Sequence, residues 1–367
     1  MEFKIVLFCM FLFINIILSH AAMNKFTVKS IKSQDGDVID CVDIYHQPAF
    51  DHPLLKDHTI KVAPSYHPEG SNNGKKQKVP QIWQLSGECP EGTIPIRRTE
   101  NGAASMTKKK PIFSSSISTD ADVQLRHEYA YTQTPTGKYF GTKAIINVWQ
   151  PYVEGSREFS LSQLWIVAGW GSTLNTIEVG WHVFPQIYGG SNSTRLFIYW
   201  TNDGYRTTGC YNLGCAGFVQ TNNQMAIGGA ISQSEITLLV WKDQKQNVWW
   251  LQYNGVILGY WPTTIFTLLK DSASLVQWGG EIINSSPNGM HTGTDMGSGS
   301  FPQAGPGKAS YFRNLQLVND ANTLISPPNN LGGIATNKAC YNINVGVNSN
   351  WGNFFYYGGP GKNPNCP

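Results

Sequence analysis

Val248-Trp249-Trp250-Leu251-Gln252-Tyr253, then Asn254-Gly255, then Val256-Ile257-Leu258-Gly259-Tyr260-Trp261 reads as two strands joined by a two-residue turn. β-Branched and aromatic side chains fill both runs, and Asn-Gly accepts the positive φ angles that a type I′ hairpin demands. Working outward, Ala144 to Trp149, Gln163 to Ala168, Thr176 to Val183, Leu196 to Thr201 and Ile236 to Trp241 have the same character. No helical periodicity separates them. Strands at this spacing predict an all-β fold, an antiparallel β-sandwich of jelly-roll type.

Composition agrees. Charged residues make up 14% of the 367 residues and aromatic ones 12%, against roughly 25% charged in ordinary domains. The formal net charge is only +3 and no dense basic stripe occurs, which argues against nucleic-acid binding. The charge is unevenly spread. Residues 1–127 hold 15 Lys+Arg and 13 Asp+Glu, whereas the longer stretch 128–367 holds 12 and 11.

The N-terminus divides into parts. Lys4, the apolar run Ile5–Leu18 and Ser19-His20-Ala21 read as a signal peptide over 1–21, cut after Ala21. The apolar run is short for a membrane span, which needs ~20 residues, so no membrane association is expected after cleavage. Residues 22–127 form a charged, Pro-spaced region. In it Phe26–Lys32 is expected to form a helical turn or more, Asp35-Gly36 a turn, and Ile39–Ile44 a strand. This region is too small and polar for a strong independent domain and reads as a propeptide docked on residues 128–367. Between the two, Lys108-Lys109-Lys110 and the Ser114–Thr119 cluster predict an exposed, easily cut linker, with the cut placed between Lys108 and Glu128.

Cys9 leaves with the signal peptide, and six cysteines remain. An even count on a secretory route suggests three disulfides. Sequence proximity favours Cys41–Cys89, Cys210–Cys215 and Cys340–Cys366. No CxxC occurs, so no metal is expected. Asn192-Ser193-Thr194 and Asn284-Ser285-Ser286 are glycosylation sequons.

GxSxG, HExxH and GxxxxGK[ST] are all missing, and only His127, His182 and His291 remain after residue 126. Carboxylates are the chemistry that is left. Glu178, in Thr176-Ile177-Glu178-Val179-Gly180-Trp181, and Glu281, in Gln277-Trp278-Gly279-Gly280-Glu281-Ile282, both sit in apolar strand contexts. Alternation puts Glu178 on one face with Gly180 and His182, and Glu281 with Gln277 and Gly279. The nearby glycines predict room for a ligand backbone. Trp165 is a candidate subsite residue, and Trp181 reads as core.

Several longer motifs resemble the plant neprosin family. In the N-terminal region these are Ile39–Tyr45 and Gln47–Pro53. In the C-terminal region they are Phe159–Trp165, Ile177–Trp181, Thr208–Leu213, Trp278–Ile282, Gly307–Phe312 and Phe355–Gly361. The resemblance covers essentially everything after the signal peptide. It implies a β-sandwich glutamic peptidase, made as a zymogen, active in acid and cleaving after proline, with the propeptide as intramolecular inhibitor. Glu178 and Glu281 match its catalytic glutamates, and Gln163 a supporting glutamine. It implies no cofactor. The partner is a proline-containing peptide or protein, and the location is outside the cell, in the wall or apoplast, or in the vacuole. Jelly rolls that bind or cleave glycans also present aromatic residues and paired carboxylates. That class, and an inactive cell-wall homologue, are the alternatives.

Overall fold

The computed structural model describes residues 26–71, 80–99, 125–287 and 290–367. The expected signal peptide and the basic and Ser/Thr-rich parts of the expected linker lie outside them. In chain order the strands are β1 (Thr27–Lys32), β2 (Val38–Asp43), β3 (Thr93–Arg97), β4 (Arg126–Gln133), β5 (Gly141–Asn147), β6 (Ser160–Ala168), β7 (Asn175–Val183), β8 (Arg195–Thr201) and β9 (Val219–Gln220). They continue as β10 (Glu235–Asp243), β11 (Val248–Tyr253), β12 (Val256–Pro262), β13 (Leu275–Asn284), β14 (Ser310–Val318), β15 (Leu324–Ile325), β16 (Gly333–Ala335), β17 (Asn342–Asn348) and β18 (Gly352–Gly358).

Three antiparallel sheets result. A six-stranded sheet has the order β16-β4-β13-β6-β7-β8, and a nine-stranded sheet runs β17-β18-β14-β5-β10-β11-β12-β9 with β15 added to β14. These two form the expected sandwich. Its core joins Ile166, Val179, Trp181 and Trp278 of the first sheet with Ile146, Leu238, Val240 and Trp249 of the second. The β11–β12 hairpin closes through Asn254 and Gly255 at φ 46° and 81°, the left-handed values the dipeptide was read for. The third sheet, β1-β2-β3, belongs to the N-terminal region.

Two expectations in that region change. Phe26–Lys32 is not helical: Thr27–Lys32 is strand β1, with Ile31 opposite Ile39 on β2. Its β-branched residues and the buried contact of Ile31 with Ile39, Cys41 and Trp83 outweigh any local helical preference. The expected boundary between residues 127 and 128 falls inside β4, which pairs with β13 from Arg126 onward.

All three expected disulfides are present, Cys41–Cys89, Cys210–Cys215 and Cys340–Cys366. His291 lies beside Cys340 and Cys366, but the bridge consumes both thiols and leaves one imidazole, which is no metal site. Of the two sequons, Asn192 is exposed. Asn284 ends β13 fully buried, its amide against Glu128, so a glycan there does not fit the folded chain.

The N-terminal region touches both sides of the sandwich. Its sheet sits beside the edge strand β8, where the Asp37 carboxylate bridges Arg97 of β3, at 2.7 Å, and Arg195 of β8, at 2.5 Å. From there residues 44–69 run as a strap across the outer face of the nine-stranded sheet. Gln47 exchanges two hydrogen bonds with the backbone of Gln220 on β9. The Ser65 amide donates to Asp243 on β10, and Glu69 pairs with the backbone of Asn322 and Leu324. Among the described residues, no helix is long and apolar enough to cross a membrane.

Candidate active site

The outer face of the six-stranded sheet holds the residues singled out by sequence. Register fixes their placement. Trp165 on β6 stands opposite Glu178 on one side and Gln277 on the other, and Leu161 stands opposite His182 and Glu281. Gln163 lies between these rows, opposite Gly279 and Gly180. Paired residues of antiparallel strands point to one face, so Glu178, Gln163 and Glu281 share a face, Glu178 on β7 and Glu281 on β13 lying two strands apart with Gln163 on β6 between them. Trp165 belongs to the aromatic layer of this face, and Trp181 to the sandwich core.

The two glycines do not hold open space. A Cβ on Gly180 would meet the Ser162 carbonyl at 1.9 Å, and one on Gly279 the Ala130 carbonyl at 2.4 Å. Neighbouring strands fill the room expected for a ligand. Because neither flanking residue carries a side chain, Gln163 is left unobstructed, and its Nε2 donates to Glu178 at 2.9 Å.

Both carboxyls are fully buried. Glu178 also accepts from the Thr176 hydroxyl at 3.0 Å and the Tyr205 hydroxyl at 2.7 Å. Glu281 lies 2.6 Å from Nδ1 of His127, and Tyr129, directly opposite it on β4, is hydrogen-bonded to it as well. Burial, and after it the charges of Glu281 and Glu178, push the Tyr129 phenol well above its ordinary value. Tyr211 is raised in the same way and feels the same two carboxyls. Burial and Glu178 raise Tyr205. These phenols therefore stay neutral, and Tyr205 and Tyr129 each donate to a glutamate. Two of them, Tyr129 and Tyr211, lie within electrostatic reach of both glutamates at once.

Sequence reading missed this shell. Tyr205 comes from the loop after β8 in a left-handed conformation, φ 63°, which no local pattern announces. The loop is shaped by Asp203, which accepts from the amides of Arg206, Thr207 and Thr208. Burial would raise Asp203, but the Thr207 and Thr208 hydroxyls, the Thr207 amide and the Thr201 hydroxyl outweigh it and hold the carboxyl at about 2, so the loop stays tied in acid. Tyr211 sits beside Cys210 in a stretch already quoted as a motif, and alternation along β4 would have aligned Tyr129 with His127. On its other side Tyr211 lines a cavity of about 490 Å³, walled also by Tyr188 and Leu213 of the sandwich and by Val42, His46 and Arg97 of the N-terminal region.

A pair of buried glutamates on one outer face of a β-sandwich, held by an amide, hydroxyls and an imidazole, with the chain's own N-terminal sheet docked at edge strand β8, defines a class of protein with a carboxylate site on a sandwich scaffold. Sequence comparison narrows the class. Residues 156–360 match the profile Neprosin, and residues 30–133 match Neprosin activation peptide. The chain belongs to the neprosin family, and this membership supports a peptidase that carries an activation peptide. In fold it is similar to Scytalido-glutamic peptidase solved with a peptide-based transition-state analog, at 12% identity over 65% of this chain and 100% of that one, with a TM-score of 0.37. It is similar too to SCP-B, an eqolisin-family peptidase in complex with the tripeptide Ala-Ile-His, at 11% identity over 64% and 98%, TM-score 0.35. CG-16, a homodimeric agglutinin from chicken liver, matches at 10% identity over 42% and 99%, TM-score 0.24.

Proposed function

We propose that this chain is a secreted glutamic endopeptidase made as a zymogen, active in acid and cleaving on the C-terminal side of proline. The observation that carries the reading is the placement of Glu178 and Glu281 on one face of one sheet, with Gln163 on the strand between them and bonded to Glu178. The chemistry needs one of the two carboxyls ionised and the other protonated. The ionised member takes a proton from water, and the new hydroxide oxygen bonds to the peptide carbonyl carbon. The protonated member hydrogen-bonds the developing oxyanion. As the C–N bond breaks, the proton taken from water passes to the leaving amine. Gln163 orients the Glu178 carboxyl through its amide.

The activation region acts as intramolecular inhibitor in this reading, which the match of residues 30–133 to the activation-peptide family supports. The cavity beside Tyr211, half-walled by that region, is the place where a peptide would enter once it has left. Preference for proline and the acid optimum rest on the family resemblance, secretion rests on the signal-peptide reading of residues 1–21, and the three disulfides agree with an oxidising compartment.

The test is a quenched peptide with an internal proline, offered to acid-treated protein and to Glu178→Gln and Glu281→Gln. Cleavage by the wild type that disappears in both variants supports the proposal. Turnover that survives both, or turnover of oligosaccharides instead, overturns it.

A further inference from the structure

We propose that the outer face of the nine-stranded sheet is a second docking site for the activation region, one that keeps hold of residues 44–69 after the linker is cut. His52, His58 and His67 tune that hold to neutral pH. The proposal rests on the zymogen reading above but not on the identity of the catalytic residues.

The face is built to be covered. Trp241 on β10, Trp250 on β11 and Tyr260 on β12 stand in direct cross-strand register and form a row of large rings on the side of the sheet away from the sandwich core. All three are fully buried. Within their buried cluster every residue but one comes from the sandwich itself. The exception is Ala49, with Phe50 and Ile60 of the strap packed against the cluster. Two or three buried rings of this size remove 150–250 Å² each from water, so the strap covers a surface the released domain would otherwise expose.

Polar pegs fix the strap in place. His58 Nε2 lies 2.9 Å from the Tyr260 hydroxyl, which also accepts from the Lys61 amide. The Trp241 indole donates to the Tyr66 carbonyl at 3.2 Å. None of these contacts touches the face that carries Glu178 and Glu281, and none involves residues 100–124. A cut in that stretch leaves them all intact.

The three histidines sit where a positive charge is unwelcome. The His52 ring is 6.2 Å from that of Trp200, and its Nδ1 accepts from the Leu54 amide. His58 packs on Tyr260. The His67 ring lies 5.5 Å from Trp241, and its Nδ1 is buried with no hydrogen-bond partner among the described residues. Burial lowers all three below the ordinary imidazole value, and Lys61 lowers His58 further. The charged groups beside them are Asp51, Lys56, Asp57, Lys61 and Glu69 on the strap and Asp243 and Lys245 on the sheet side. Asp243 is already taken by the amides of Ser65, Lys245 and Gln246, and Lys245 lies over the Tyr66 ring. No carboxylate is hydrogen-bonded to any of the three rings among the described residues. His46 differs: it is exposed and paired with Asp43.

The sign follows. The docked strap favours neutral imidazoles, so as pH falls below about 6.5 the free strap binds protons that the docked strap resists. Below the docked values, each histidine weakens docking about tenfold per unit of depression. Cleavage of the linker alone leaves the strap in place, and acid releases it.

The experiment uses full-length Glu281→Gln protein, so that self-cleavage plays no part, with a foreign protease site placed within residues 100–124. After cutting at pH 7.5, size exclusion is run from pH 7.5 to pH 4. The activation fragment is expected to co-elute with the domain at pH 7.5 and to separate in acid. With His52→Gln, His58→Gln and His67→Gln combined, the midpoint of separation should fall by about one pH unit or more. If the triple variant does not fold, His58→Gln alone should shift the midpoint in the same direction by less. Loss of the fragment at pH 7.5 overturns the proposal. So does an unmoved midpoint, or a midpoint that moves with Asp37→Asn and not with the histidines. Failure of the peptide assay described above would leave this result standing, which keeps the two readings distinguishable.

Discussion

The sandwich has two outer faces, and both are closed by opposite means. On the six-stranded sheet the buried groups are polar: two carboxyls met by an amide, hydroxyls and an imidazole. On the nine-stranded sheet they are rings and aliphatic side chains under the strap. An antiparallel sandwich ordinarily turns such faces to water. The comparison teaches that burial on the first face serves to orient chemistry, at the cost of desolvating acids. On the second face burial serves adhesion. Changes on the first face should therefore alter rate with little effect on assembly, and changes on the second the reverse.

The sharpest way to break this division is Glu178→Gln or Glu281→Gln. Each is near-isosteric and should reduce kcat/KM on the proline peptide by about 10²–10⁴-fold, while denaturant melts of the uncleaved chain stay close to wild type. A large loss of stability with retained turnover would reverse the roles of the faces. Next in size is Trp250→Ala. It should destabilise the full-length chain by about 3–5 kcal/mol in urea melts, with kcat/KM of the folded, activated enzyme little changed. Tyr205→Phe is smaller. It removes one of the donors to Glu178, a hydrogen bond of about 0.5–1.5 kcal/mol, and should lower kcat/KM several-fold without moving the melting temperature by more than a few degrees.

The smallest effect separates the two faces by pH. Burial lowers His291, but its bond to Glu128 and the Thr292 carbonyl more than offset this, so the imidazole is held above its ordinary value. A raised histidine contributes stability that is complete below about 6.5 and fades as pH rises through the folded value. His291→Gln should therefore lower the melting temperature more at pH 5 than at pH 8.5. The strap histidines carry the opposite sign, so acid favours the domain around His291 while it loosens the cover behind. Equal losses at both pH values would remove this contrast.

Much of this was legible in the sequence. Runs of β-branched and aromatic residues marked the strands, Asn254-Gly255 the hairpin, and simple proximity the disulfides. Period-two alternation placed Glu178 and Glu281 correctly relative to their neighbours. What it could not show was burial, because β6 and β7 are buried at every position and alternation distinguishes faces only when one of them meets water. The donors Tyr205 and Tyr129 arrive from a loop and from another strand, and only register brings them in. The strap was illegible for a related reason. Its residues are polar and Pro-spaced, and they are fixed by partners some 170–250 positions away rather than by neighbours.

The bridge between Cys41 and Cys89 spans 48 positions and encloses the whole strap in one covalent ring. A protease that nicks the chain once anywhere inside that ring opens it without separating the pieces. On a gel the nicked chain would migrate intact without reductant and fall into two fragments with it. Damage to the cover is thus repaired in advance by topology: only a cut outside the ring sets the cover adrift, and then as a single unit.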